Sequence, residues 1–331
     1  MTMKSLVLGN NRAYLEDVPM PEAKGEWVVV KVMATPICGS DRSAFTSETP
    51  VRDAGHEGSG IVVAANGSSL LKEGDRVILN PLSGCGECAL CRSGNYIYCT
   101  NKPKFYSHFA EYVLVQDFVC TKLPDDISYE LGSLACCALG PAFSSIKRLN
   151  VKGFDNILIT GLGPVGMGAI TIAKFLGARV IALDSVPYRQ KMAKELGADV
   201  VLNPMDPDIK EQILAAKGNA PLIKALDASG NSNGERLCID MMEPRGSVAF
   251  IGENHKQIPI CPSDDFIRKG LTLIGSWHYN LDDREEMFSI LRRSPVVHKI
   301  ITDTYGFSDV QSAFEKFMTQ DTCKVLLKPW E

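Results

Sequence analysis

The feature that most constrains the fold is the run Gly161, Leu162, Gly163, Pro164, Val165, Gly166, which follows the apolar stretch Ile157, Leu158, Ile159 and opens a segment of helical periodicity. A G-x-G-x-x-G at a strand-to-helix junction has a mechanical reading. The first glycine permits a tight turn, the second lets a pyrophosphate approach the backbone, and the third lets the helix pack closely on the strand. Phosphates then sit at the helix N-terminus, where free N–H groups and the helix dipole favour anions. Gly161, Gly163, Pro164, Val165 and Gly166 are therefore candidate cofactor-binding residues. Asp184 closes the next apolar run, about 20 residues on, where a carboxylate accepts from an adenosine ribose diol and repels a 2′-phosphate. That favours NAD over NADP. Arg189, further along, could lie over the adenine face or accommodate the extra phosphate of NADP.

The surroundings agree with the motif. From Asn156 onward, the apolar runs 157–159, 180–183, 200–202, 225–226, 248–251 and 271–274 alternate with helical segments, a pattern that predicts a parallel sheet wrapped by helices. Val165, Ala169, Ile172, Ala173 and Leu176 recur at helical spacing and predict one apolar face, which Gly177 terminates. The chain before residue 143 is instead rich in short β-type runs such as Trp27 to Val32 and Gly60 to Val63, divided by Gly and Pro. Past residue 276 the alternation stops, and a helix over 309–317 and a strand over 325–327 are expected to return to the first lobe.

Eleven cysteines need an explanation. No apolar stretch is long enough to span a bilayer, and Met1 to Gly9 is too short and too polar for a secretory signal, so the chain is expected in the cytoplasm, where disulfide frameworks do not persist. Metal binding is the better reading. Cys85, Cys88, Cys91 and Cys99 form C-x-x-C-x-x-C-x7-C in a Gly-rich loop, a closed four-thiolate set suited to a structural zinc, with an iron–sulfur cluster as the rival. Cys120, Cys238, Cys261 and Cys323 stand alone and read as small core hydrophobes. A net charge of −4 with no long Lys/Arg run disfavours nucleic acid, and 331 residues at 45% hydrophobic content favour two domains.

Three further segments carry chemistry together: Cys38 with Ser40 and Asp41, Gly55-His56-Glu57, and Cys136-Cys137 just before the dinucleotide unit. Each alone is weak. A Cys, a His and a Cys leave one tetrahedral position of a zinc ion open for water or substrate, as catalysis requires.

The order of Cys38, His56, the four-cysteine loop, Cys137 and the glycine motif resembles the zinc-containing medium-chain dehydrogenases, the family of alcohol, sorbitol and threonine dehydrogenases, over nearly the whole chain. The resemblance implies an α/β protein with a GroES-like β-rich catalytic domain, residues 1–143 and 277–331, and a Rossmann doubly wound parallel-sheet domain, residues 144–276. It implies a catalytic zinc on Cys38, His56 and Cys137, the Cys-Cys-His set of alcohol dehydrogenase, a structural zinc on Cys85, Cys88, Cys91 and Cys99, and NAD. Counting back from the glycine motif selects Cys137 over Cys136; the polyol branch often has Glu there, so Cys137 departs from it. Asp41 would orient His56, Ser40 would relay a proton, and Glu57 would approach the metal or brace the loop. Ser43 stands where alcohol dehydrogenases often carry a relay His, which leaves the proton's exit to solvent or a ribose hydroxyl.

The implied activity is hydride transfer between NAD and a secondary alcohol, a polyol, sugar derivative or amino-alcohol, in a homodimer or homotetramer with a small-molecule alcohol or ketone as partner and no membrane or nucleic acid. The Cys-Gly-Ser-Asp run and Leu196 to Asp199 look more like polyol and threonine dehydrogenases than ethanol enzymes. A zinc-independent quinone or enone reductase of the same fold is disfavoured by Asp184 and the complete ligand set, as is a non-catalytic binding protein derived from a dehydrogenase. Trp277, His278 and Tyr279 could bind a polar substrate; alternatively Trp277 and Tyr279 pack at an interface and His278 lies on the surface. Phe45, Phe105 and His108 are weaker candidates for lining the cleft, which short intervals between Cys38 and His56 and between Cys99 and Glu111 suggest is open.

Overall fold

A computed structural model describes residues 1–104 and 106–331; Phe105, a cleft candidate, lies outside the described residues. The chain forms two compact units, one of residues 1–137, 280–292 and 301–331, the other of residues 138–279 and 293–300.

The first unit is built on the strand Trp27–Pro36, whose Val28, Val29, Val30, Val32 and Ala34 are all buried. Its first part, Val28 to Val30, is buried without alternation, while Lys31 and Met33 are only half-buried between buried neighbours, so the strand is covered on both faces at its start and end. It pairs antiparallel with Gly58–Ala64, Tyr112–Gln116 and the C-terminal strand Lys324–Lys328. The register puts Leu326 opposite Pro36, so the end of the chain lies beside the segment that leads into Cys38. Beneath, Phe45 stacks on Phe314 at 5.2 Å and Phe109 meets Phe314 edge-on at 5.9 Å. Phe45, 3% exposed, is thus a core residue and not the cleft-lining group expected from its position after Cys38.

The second unit holds a six-stranded parallel sheet. Its spatial order is Val200–Leu202, Arg179–Leu183, Asn156–Thr160, Lys224–Asp227, Ser247–Phe250, Thr272–Gly275. The order reverses between Asn156–Thr160 and Lys224–Asp227, the doubly wound arrangement in which ligands bind outside the carboxyl ends of the strands at the reversal. The helix Pro164–Phe175 starts there. It is buried without interruption from Gly166 to Ala173, more than a single apolar stripe, because a second face is covered as well. A Cβ at Gly168 would lie 2.0 Å from the Ala138 carbonyl oxygen, just before the neighbouring helix Gly140–Leu149. Leu176, expected on the apolar face, falls past the helix end and is exposed. Among the described residues, no helix is long and apolar enough to cross a membrane.

Candidate functional site

The strand Trp27–Pro36 ends just before Cys38, and the helix Asp41–Thr46 begins just after it. Asp41 is buried and ties two loops together: its Oδ2 accepts from the Cys38 N–H at 2.8 Å and its Oδ1 from the Gly55 N–H at 3.3 Å. The carboxylate acts on the backbone that carries Cys38 and His56. Gly55 has φ +78°, and a Cβ there would strike the Phe109 ring at 2.4 Å, so the aromatic core dictates glycine before His56. The Thr35 hydroxyl donates to the Glu57 carbonyl at 2.7 Å and fixes the far side of the same loop.

These constraints gather Cys38, His56, Glu57 and Cys137, with one ligand atom from each within 4.8 Å of the others. Cys38 Sγ and Cys137 Sγ are 3.5 Å apart. Cys136 points elsewhere, its thiol donating to the Leu79 carbonyl at 3.1 Å. Hydrogen bonding from the Cys137 thiol holds the Cys38 thiol well below its ordinary range, against the effect of burial, while the same bond pushes Cys137 up. Burial pulls His56 down, but the Cys38 thiolate and the Glu57 and Asp41 carboxylates outweigh it and raise the ring to about 9. Burial raises Glu57 to about 7, with the Lys324 ammonium opposing. A cluster of anionic donors that stabilises a cation on His56 equally suits a divalent ion, and the buried Glu57 Oε2 has no hydrogen-bond partner. Two sulfurs, an imidazole and a carboxylate within reach are a donor set that fits zinc.

The second cluster is Cys85, Cys88, Cys91 and Cys99. The sulfurs of Cys85 and Cys91, and of Cys88 and Cys99, are 3.9 Å apart. Four sulfurs at about 2.3 Å from a tetrahedral zinc lie about 3.8 Å from one another, so the spacing fits the ion. Backbone N–H groups of Cys88, Cys91 and Cys85 point at Cys85, Cys88 and Cys99 sulfurs, and the amides of Cys88 and Glu87 lower the Cys85 thiol to about 7. Gln116 holds the loop to the sheet, donating to the Gly84 carbonyl at 2.8 Å and accepting from its N–H at 3.2 Å. Of the lone cysteines, Cys238 and Cys323 are buried and Cys120 partly so; Cys261 is exposed, contrary to its reading as a core residue.

In the other unit, Gly161 takes φ +80° and a Cβ on it would sit 2.4 Å from the Ser229 backbone, while one on Gly166 would sit 1.9 Å from the Gly161 oxygen. Gly163 differs, since a Cβ there meets nothing within 4 Å. Bare backbone facing open space at the start of the Pro164–Phe175 helix is the cradle a pyrophosphate needs, and Val165 is only half-buried beside it. Asp184 accepts from the Leu162 N–H at 2.7 Å and the Val186 N–H at 2.8 Å, so it braces the turn as well as standing at the strand end. Arg189 Nη1 approaches Asp184 Oδ2 at 3.6 Å.

Other candidates are placed differently. His108 is buried, its backbone N–H donating to the Gly55 carbonyl, and burial lowers the ring to about 3 with His56 adding to the effect. It is a neutral group behind the His56 loop, and it lines a small pocket together with Ser83, Lys104 and Tyr106. His278 and Tyr279 are buried and Trp277 is exposed, so His278 is not a surface residue. Ser40 is exposed, and the Ser43 hydroxyl donates to its carbonyl at 2.9 Å. One residue escaped the sequence reading: Lys324, fully buried, whose Nζ reaches Glu57 Oε1 at 2.5 Å. No spacing motif marks it.

Residues 24–125 match the alcohol dehydrogenase GroES-like domain and residues 164–293 the zinc-binding dehydrogenase family. The chain is 34% identical to the uncharacterized zinc-type alcohol dehydrogenase-like protein YphC of Escherichia coli (strain K12), covering 90% of this chain and 92% of that one. It is 31% identical to D-arabitol-phosphate dehydrogenase of Enterococcus avium, covering 94% and 92%. Among solved structures, alcohol dehydrogenase TADH from Thermus sp. ATN1 superposes with a TM-score of 0.91 at 25% identity, covering 98% and 99%.

Proposed function

Because this chain belongs to the zinc-type medium-chain dehydrogenase family, we propose that it transfers hydride between NAD and a secondary alcohol, a polyol, sugar derivative or amino-alcohol. The observation that carries the reading is the convergence of Cys38, His56 and Cys137 into a three-donor set with Glu57 alongside. Bound zinc supplies Lewis acidity that makes a substrate hydroxyl acidic near neutral pH, and bound NAD supplies the hydride acceptor.

The chain's own residues do the rest. Cys38, His56 and Cys137 hold the ion, His56 in its neutral form, and Asp41 keeps the two loops in register through their backbones. Ser40, exposed at the start of the Asp41–Thr46 helix, takes the hydroxyl proton. The Ser43 hydroxyl is turned to the Ser40 carbonyl, so the proton passes to solvent or a ribose hydroxyl. Gly161, Gly163, Pro164, Val165 and Gly166 cradle the pyrophosphate, Asp184 accepts from the ribose diol, and Arg189 lies over the adenine. Cys85, Cys88, Cys91 and Cys99 hold the second zinc and order a loop of low apolar content. Similarity to a D-arabitol-phosphate dehydrogenase supports a polyol-type substrate.

The test is elemental analysis of zinc per chain together with NAD reduction against a panel of polyols, sugars and amino-alcohols. Cys38→Ser should lose one zinc and turnover on the active panel member while NADH binding persists. Loss of both functions together, or of neither, would sink the assignment.

A further inference from the structure

Asp227 stands at the reversal of strand order with no exposed surface, and nothing described so far gives it a role. It ends the strand Lys224–Asp227, between Asn156–Thr160 on one side and Ser247–Phe250 on the other. A buried carboxylate is costly unless it is hydrogen-bonded. Here Oδ1 accepts from the Thr160 hydroxyl at 2.6 Å and the Ser229 hydroxyl at 2.5 Å, and Oδ2 accepts from the Gly230 N–H at 3.1 Å. The Asp227 main-chain carbonyl accepts from the Ile251 and Gly252 N–H groups at 2.9 and 3.1 Å. One residue thus joins the ends of three neighbouring strands. The turns that leave those strands lie backbone on backbone. A Cβ on Gly161 would strike the Ser229 main chain, one on Gly252 the Gly230 nitrogen, and one on Gly230, which has φ +58°, the Glu253 carbonyl oxygen.

The two sides of this junction are held differently. The glycine turn is tied from the side of the Arg179–Leu183 strand, where the Gly161 N–H donates to the Leu183 carbonyl at 2.9 Å and the Leu162 N–H to Asp184 at 2.7 Å. The Ser229–Gly230 turn is tied by the Asp227 carboxylate, and the Ser229 hydroxyl oxygen accepts in addition from the Asn231 N–H at 3.1 Å, so that hydroxyl is used inside the turn. A doubly wound sheet binds a dinucleotide across the reversal, one mononucleotide on each half. Asp184 marks the adenosine half, so the Ser229–Gly230 turn borders the nicotinamide half. We propose, on the reading of Gly161 to Gly166 as the NAD cradle, that Asp227 is a positioning residue that holds the Ser229–Gly230 turn against Gly161 and so shapes the nicotinamide side of the crevice before the cofactor arrives. Without the carboxylate the turn samples other positions, and binding must select the competent one at a cost in affinity.

The experiment measures NADH binding by fluorescence titration and AMP binding by calorimetry on the full-length protein, with circular dichroism confirming that each variant is folded. AMP occupies the adenosine half alone, so it reports a general loosening of the fold and is blind to the nicotinamide side. If the turn is in place in only about a tenth of Asp227→Ala molecules, the NADH Kd rises about tenfold while the AMP Kd stays within about twofold of wild type. Asp227→Asn, whose amide can accept from the Gly230 N–H and donate to the two hydroxyls, should bind NADH like wild type. A merely structural aspartate would weaken both ligands or neither. Unchanged NADH binding in Asp227→Ala, NADH and AMP weakened alike, or Asp227→Asn as weak as Asp227→Ala overturns the proposal. If Asp227→Ala does not fold, Ser229→Ala decides: an NADH Kd raised about threefold or more with AMP unmoved supports the proposal, and NADH affinity like wild type overturns it. Failure of the wild-type protein to bind NADH would instead refute the dinucleotide reading itself.

Discussion

Gly163→Ala separates a glycine kept for the ligand from glycines kept for the fold. Gly163 has φ −71° and ψ −174°, an extended conformation open to any residue, and its added Cβ meets nothing within 4 Å. Folding therefore tolerates alanine and gains about 0.4–1 kcal/mol because the unfolded chain loses freedom. The methyl instead enters the space at the helix N-terminus, where Pro164 has no N–H to give and the first turn offers few donors. Losing one hydrogen bond to a charged phosphate costs about 1.5–3 kcal/mol, which is about a 10- to 150-fold rise in the NADH Kd. Gly166→Ala is the opposite case. Its Cβ would stand 1.9 Å from the Gly161 oxygen, a backbone atom that cannot rotate away, so stability should fall by about 1–3 kcal/mol. NADH fluorescence titration and urea unfolding measure the two quantities. The reasoning is refuted if Gly163→Ala binds NADH like wild type, or if it destabilises as much as Gly166→Ala.

Asp184→Asn keeps an acceptor for the Leu162 and Val186 amides but removes the charge that repels a 2′-phosphate; the ratio of kcat/KM for NAD over NADP should fall, and an unchanged ratio would remove Asp184 from cofactor selection. Cys88→Ser should lower zinc content by one per chain and lower the unfolding midpoint, because metal binding there contributes to folding, while NADH affinity stays as it was; undiminished zinc would exclude Cys88 as a ligand. Arg236 grips Asp265 with two bonds of 2.8 and 2.6 Å and, with the Cys261 N–H, lowers its carboxyl to about 2 from 3.8. Since the folded-state value is the lower one, the pair's stabilisation of about 2 kcal/mol is present above about pH 4 and is lost as pH falls towards about 2. Asp265→Asn should flatten that part of the stability profile measured by urea unfolding; a slope unchanged from wild type would show that another carboxyl causes it.

The candidate site residues announced themselves locally, and the residues that hold them in place did not. Four cysteines at short intervals, a glycine turn after an apolar run, and an acidic residue at the next strand end each lie within one stretch of chain, so spacing alone restricts what they can do. The six strands of the parallel sheet were legible for the same reason, since each is a short apolar run bounded by breaks. The complete burial of the Pro164–Phe175 helix was not, because Gly168 looks neutral until the Ala138 carbonyl is seen against it. Phe45 looked like a cleft residue because its stacking partner, Phe314, comes from the far end of the chain. Asp41 was expected to orient His56, and the means was not legible, because the carboxylate works through two backbone amides, which any sequence supplies. Lys324 is the extreme case. A lysine at the start of a strand ordinarily reads as a solvated edge, and only the antiparallel pairing of Leu326 with Pro36 carries it to Glu57, 267 positions away in sequence. Metal ligands must have particular atoms, so their residue types are restricted and visible; the charge that balances them needs only proximity, and proximity is a property of the topology.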